Sequence, residues 1–131
     1  MSKLILSVDE WKESYRKRHK FNAQRTVIDN ISFDSKKEAD RYRDLLTLVS
    51  IKEIRHLQLQ RTFEFYTGPI KVERWRIDFC YKEKIDGAWV RIAEDTTGYL
   101  TTRKKRLIKL FGDQYGVGNP NPFEQWVLRI T

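Results

Sequence analysis

One cysteine in the whole chain, Cys80, excludes an intrachain disulfide and a cysteine-based zinc site. Flanked by Phe79 and Tyr81 in a strand-like run, it reads as a core residue. Histidine is almost as scarce. Neither His19 nor His56 has a serine or cysteine nucleophile at the spacing of a known triad, so neither reads as a general base. Long apolar runs are missing too: nothing approaches the ~20 residues of a membrane-spanning helix. Leu4-Ile5-Leu6 is too short for the apolar region of a signal peptide, so the expected location is a reducing cytoplasm. No amphipathic helix sets a broad apolar face against a basic one, which disfavours a membrane surface as partner. There is no internal repeat and no low-complexity segment. Acidic residues are the minority charge, 18 against 26 Lys and Arg, giving a formal net charge of +8 and a pI of about 9.7. Polyanions are the natural partners of such a chain, nucleic acid first among them.

What is present is enough for a globular core. The 131 residues, 40% hydrophobic, with four tryptophans, six tyrosines and seven phenylalanines, suit one globular domain. Residues 1–25 read as a basic N-terminal helix or arm and 26–131 as the main domain. A capping box at Ser7-Val8-Asp9-Glu10 starts the first helix, which runs through Trp11 and Tyr15 toward His19. Arg16, Lys17, Arg18, Lys20 and Arg25, interleaved with Tyr15 and Phe21, make this the densest cationic segment before the C-terminal helix and a candidate DNA-backbone contact. A solvated basic face is the plainer alternative.

Residues 26–33 suggest a small hairpin with an Asp29-Asn30 turn. Ser35 followed by Glu38 announces a second helix with an apolar stripe of Ala39, Tyr42, Leu45, Leu46 and Val49. Residues 51–59 read as a connector, 61–66 as a half-buried strand, and Thr67-Gly68-Pro69 as a turn. Strands at 74–81 and 88–93 flank an Asp86-Gly87 hairpin turn. Threonine-capped residues 101–111 read as a third, basic helix, 112–122 as a loop and 123–130 as a last strand.

Three acids stand where an ordinary amphipathic pattern would not put them. Asp78 lies inside a strand, Asp95 closes the next one, and Glu38 sits on the inward stripe of its helix, where an unmet carboxylate costs desolvation. Adjacent strands can bring Asp78 and Asp95 to one hard, oxygen-seeking cation such as Mg²⁺. On pattern alone, Asp78 pointing to solvent stays open, as does a pure capping role for Glu38.

The order helix, three strands, helix, strand resembles the αβββαβ core of the PD-(D/E)XK nuclease superfamily, an α/β (α+β) fold with a mixed central sheet flanked by helices, here with an extra N-terminal helix. Phe33-Asp34-Ser35-Lys36-Lys37-Glu38, Ile77-Asp78-Phe79 and Glu94-Asp95-Thr96-Thr97-Gly98 resemble the "FxSxxE … DF … (D/E)xKG" series of phage junction-resolving endonuclease I. They are closer still to a small phage family of unknown function with "FDSKKEA … ADF … EDVKG". The resemblance covers residues 21–130 and implies a metal-dependent DNA endonuclease, structure-specific for branched DNA. Asp78 and Asp95 would hold Mg²⁺ or Mn²⁺, Glu38 would complete or tune the site, and Gln60 and Glu94 would be accessory. Arg103, Lys104, Lys105 and Arg106 would grip DNA together with the N-terminal arm. Junction-resolving relatives act as dimers, although no exposed apolar stripe commits this chain to a homodimer.

The departure is Thr97, where the motif has lysine. Three explanations stay open: the charge has moved to Lys104, Lys105 or Arg76; the site is degenerate and the domain a DNA-binding or interaction protein; or the lysine was substituted to silence a toxic nuclease.

Overall fold

Two short turns organise the β structure, and both are built from residues that tolerate left-handed backbone. Asp29 (φ 52°) and Asn30 (φ 64°) join β1 (Thr26–Ile28) to β2 (Ile31–Phe33), and Asp86 (φ 50°) and Gly87 (φ 80°) join β4 (Ile70–Ile85) to β5 (Ala88–Asp95). Positive φ at both central residues belongs to a turn whose twist matches that of antiparallel strands. The computed structural model describes residues 25–96 and 99–131. The helix expected from Ser7, the basic residues Arg16, Lys17, Arg18 and Lys20, and Thr97 itself lie outside them.

The chain divides into two units, Met1–Leu46 and Thr47–Thr131. Within the first, β1 and β2 pair antiparallel with Val27 opposite Ser32. Helix α1 (Lys36–Ser50) begins where Ser35 Oγ accepts the Glu38 backbone N–H at 3.1 Å, the cap its sequence announces. Phe33 packs on the Tyr42 ring at 5.0 Å between centroids, and the Tyr42 hydroxyl donates to Asp29 at 3.2 Å, tying the helix to the hairpin turn. Glu38, Ala39, Tyr42 and Leu45 are buried, whereas Leu46 and Val49, expected on the same stripe, are exposed.

The second unit is a four-stranded sheet in the order β3-β4-β5-β6, with β3 spanning Ile54–Thr67 and β6 Trp126–Ile130. The first three strands form an antiparallel meander, and β6 returns parallel to β5 through helix α2 (Thr102–Gln114). A parallel return needs such a crossover because a tight turn can only reverse the chain. The sheet is therefore mixed and the order αβββαβ is present. A cluster of Phe63, Phe65, Trp75, Ile77, Cys80, Ala93, Leu107 and Phe111 joins α2 to the sheet. Edge-to-face contacts of Phe63 with Phe111, Tyr115 and Trp126, at 5.0 to 5.4 Å, lock its aromatic centre.

Several boundaries differ from expectation. Residues 54–59, expected in a connector, are strand. A register shift between Arg55 and Gln58, with His56 at φ 58°, throws Ile54 and Leu57 out of the alternation that marks a strand in sequence. Strands β4 and β5 extend beyond 74–81 and 88–93 because polar residues at their ends still pair. Helix α2 continues through Gly112 to Gln114, three residues into the expected loop. Residues 123 and 124, expected to open the last strand, lie instead in a 3-10 turn (Pro122–Glu124), capped where Asn121 accepts the Phe123 N–H. Proline at its start lacks the N–H a strand ladder would use. Gly118 is required in the loop, since a Cβ there would collide with the Asp113 backbone.

Candidate functional site

The β4–β5 ladder sets the acids. Phe79 stands opposite Glu94 and Cys80 opposite Ala93, so one further step places Asp78 opposite Asp95. On β3, Gln60 falls between Leu59, opposite Phe79, and Arg61, opposite Ile77, and so stands beside Asp78. Gln60 adopts φ 56°. The strand alternation changes phase here: Trp75 and Ile77 share one cluster with Cys80 and Ala93, a switch from odd to even positions across Asp78. Backbone irregularity of this kind re-aims side chains, and it coincides with the acid pair.

Both carboxylates are held. Asp78 Oδ2 accepts the Thr96 N–H at 2.9 Å and the Thr96 hydroxyl at 2.7 Å. Asp95 Oδ2 accepts from Lys104 Nζ at 3.1 Å. The sequence around α2 explains how Lys104 arrives there: Thr101 caps the helix by accepting the Lys104 backbone N–H at 3.1 Å, which fixes the first turn and with it the lysine stem. The ammonium also lies 4.9 Å from the centre of the Trp75 ring. Buried Trp75 Nε1 has no hydrogen-bond partner among the described residues.

The Asp95 carboxyl is pushed above its usual range, chiefly by burial and then by the charge of Asp78, with Lys104 opposing both. A buried carboxyl beside a second one favours a cation close by. No acidic residue occupies the first turn of α2, which instead carries Arg103, Lys104 and Lys105. Cations oppose the dipole at a helix N-terminus, so this turn sacrifices helix stability for charge at the site.

Glu94 faces a different network. It is fully buried and accepts from the Tyr81 hydroxyl at 2.5 Å, while Arg129 donates to that hydroxyl at 3.0 Å and pairs with Glu83. Of the predicted DNA-binding residues on α2, Arg103 and Arg106 both engage Glu73, at 2.8 and 2.9 Å, which holds that carboxyl down at about 2. Lys105 is exposed. An open groove of about 540 Å³ is lined by Arg74, Arg76, Arg103, Lys104, Thr62 and Trp75. Arg74, Glu73, Trp75 and Thr96 were not singled out by sequence. Arg74 and Arg76 are two apart on one strand and so share a face, a signal that was there to read. The pairing of Glu73 with residues thirty positions away carries no local signature.

Glu38 is buried on the first unit, where Arg25, predicted to contact DNA, pairs with Asp34 at 3.5 Å. Among the described residues, no group of three or more His, Cys, Asp or Glu gathers to hold a metal ion. None of the described helices is long and apolar enough to cross a membrane.

The chain matches, over residues 18–129, the model of the family described as "Protein of unknown function (DUF1064)". It belongs to that family. No curated protein and no solved structure matches it.

Proposed function

We propose that this member of the family is a divalent-metal-dependent DNA endonuclease of the PD-(D/E)XK type, in which Lys104 supplies the charge that the motif lysine would carry at position 97. One observation carries the reading: an ammonium from the following helix lies 3.1 Å from Asp95, whose carboxyl also feels the charge of nearby Asp78. Two strand carboxylates are an oxygen-only donor set, suited to Mg²⁺ or Mn²⁺. Mg²⁺ commonly takes one or two protein carboxylates and completes its shell with water and substrate phosphate. Asp78 and Asp95 would hold the ion. When bound, such an ion polarises the phosphate and lowers the pKa of water.

The chain's own groups do the rest. Thr96 fixes the rotamer of Asp78 through two hydrogen bonds. Lys104, partly dry and braced on Trp75, stabilises negative charge developing on the phosphate oxygens. Arg74 and Arg76 in the adjoining groove neutralise flanking phosphates. A cytoplasmic location fits a buried, reduced Cys80. The second reading, a non-cleaving DNA-binding protein on the same fold, is favoured by that same ion pair, because Lys104 already neutralises Asp95 without a metal.

A nicking assay on supercoiled plasmid and on a four-way junction, with Mg²⁺ or Mn²⁺, separates the two. The chain should cleave, and Lys104→Met and Asp78→Ala should each lose about a hundredfold or more, the usual cost of one preorganised charge. Cleavage by Asp78→Ala at the unmodified rate would refute the site. Silence from both the chain and Thr97→Lys, together with salt-sensitive binding of the same DNA, would favour the binding reading.

A further inference from the structure

Some 13 Å along the strands from the acid pair, by the rise of four residues, the sheet carries a second cationic surface. Arg55, Lys82, Arg91 and Trp126 form one cross-strand row: Arg55 opposite Lys82, Lys82 opposite Arg91, Arg91 opposite Trp126. Partners in register share a face, so all four present to the same side. Aromatic rings brace the guanidinium groups. Arg55 lies over Trp89 at 4.0 Å, and Arg61 and Arg91 lie 4.9 and 5.7 Å from the centre of Trp126. A recess of about 220 Å³ opens among Arg61, Lys82, Arg91 and Trp126.

Four cations on one face ordinarily meet acids. Among the described residues none of these four has an ion-pair partner, whereas Arg103, Arg106 and Arg129 all do. Mutual repulsion makes such a row costly unless an anion meets it. Stacked guanidinium groups keep their N–H edges for phosphate oxygens and their outer faces for a base. The recess is smaller than the ~300–1,000 Å³ of drug-sized sites, so it takes a phosphate group or one base edge. A duplex keeps its bases stacked inward, and only an unpaired strand can lay ring faces on this surface.

We propose that the face carrying Arg55, Arg61, Lys82 and Arg91 is a binding site for single-stranded DNA, separate from the Asp78–Asp95 pair. The site requires no metal and does not depend on cleavage.

The test is fluorescence anisotropy with the full chain in EDTA, using a labelled 20-nucleotide oligo-dT and a 20-base-pair duplex across a salt series. Arg55→Ala/Lys82→Ala/Arg91→Ala should weaken oligo-dT binding tenfold or more. It should also lower the salt slope by about two, since each phosphate neutralised on a single strand contributes ~0.7. Lys36→Ala/Lys71→Ala, which removes two exposed lysines paired with acids elsewhere, should leave that binding within threefold, and Arg55→Lys/Arg91→Lys, which keeps the charge and loses the planar stack, should fall between. Circular dichroism checks that each variant is folded. Unchanged oligo-dT affinity in the folded triple variant would overturn the proposal, as would tighter binding of the duplex than of the single strand. Failure to cleave with Mg²⁺ would leave it standing, because the binding is read without metal.

Discussion

Replacing Lys104 by methionine keeps the apolar stem against Trp75 and removes only the charge on Asp95. At the 3.1 Å separation of the pair an effective dielectric of about 20 gives a Coulomb attraction of about 5 kcal/mol. Desolvation and about 2 kcal/mol of lysine rotamer entropy oppose it. Lys104 keeps some contact with water while Asp95 is nearly dry, so we expect a net loss of about 2 kcal/mol at pH 7, below the 3–5 kcal/mol of a fully buried pair. For a domain of this size that is a fall in Tm of about 6–10 °C.

The pH dependence distinguishes this from lost packing. The folded-state pKa of Asp95 already lies above its ordinary 3.8, so its ionisation disfavours the folded state as pH rises through the raised value. Removing Lys104 raises it further. The difference between the two proteins therefore accumulates with rising pH and shrinks toward the unfolded carboxylate range, where Asp95 is protonated in both. Below pH 4 it should be under about 1 kcal/mol, the residue of the lost ammonium–indole contact. Denaturant melts at pH 7 and pH 3.5 measure both ends, and Asp95→Asn completes the cycle. Asp95→Asn alone should be neutral or stabilising at pH 7, and combined with Lys104→Met it should cancel at least about 1 kcal/mol of the loss. Equal losses at both pH values, or strict additivity of the two substitutions, would refute the electrostatic account.

Other consequences are open to simpler measurements. Glu73, with its carboxyl held at about 2 by Arg103 and Arg106, contributes stability that is present above its ordinary 4.5 and lost as pH falls toward 2; Glu73→Gln should flatten that limb of an acid-unfolding curve. Burial pushes the Cys80 thiol up to about 12, so a thiol reagent at pH 8 should label it only after denaturation. Tyr81→Phe withdraws a donor from fully buried Glu94 and should cost about 1.5–3 kcal/mol by denaturant melt; a loss under 0.5 kcal/mol would show that its remaining partners suffice.

The elements written in sequence were those with local chemistry. The Asp29-Asn30 and Asp86-Gly87 turns and the caps at Ser35 and Thr101 each depend on two to four neighbouring residues, and each is where the residues place it. Strand β3 was half legible because a left-handed residue at His56 shifts its alternation, and nothing about histidine announces that conformation. The adjacency of Asp78 and Asp95 could be read from a hairpin with a known turn, since the turn fixes the register. Which of Lys104, Lys105 and Arg76 would meet them could not. That choice hangs on the rotation of α2 about its axis, set by Leu107 and Phe111 in the core, and it leaves Lys104 half-buried at Asp95 and Lys105 in solvent.

The left-handed residues of β3 also bear on solubility. This strand terminates its sheet, and the outward-facing amide and carbonyl groups of alternate residues along its fourteen-residue length would be a template for another chain. An approaching strand finds that template broken at His56, at Gln60 and again at the shift between Phe65 and Tyr66, with no regular stretch longer than residues 61–65. The distortion beside Asp78 thus has a second effect: it denies a concentrated solution of this protein the long uninterrupted seam along which sheets fuse into aggregates.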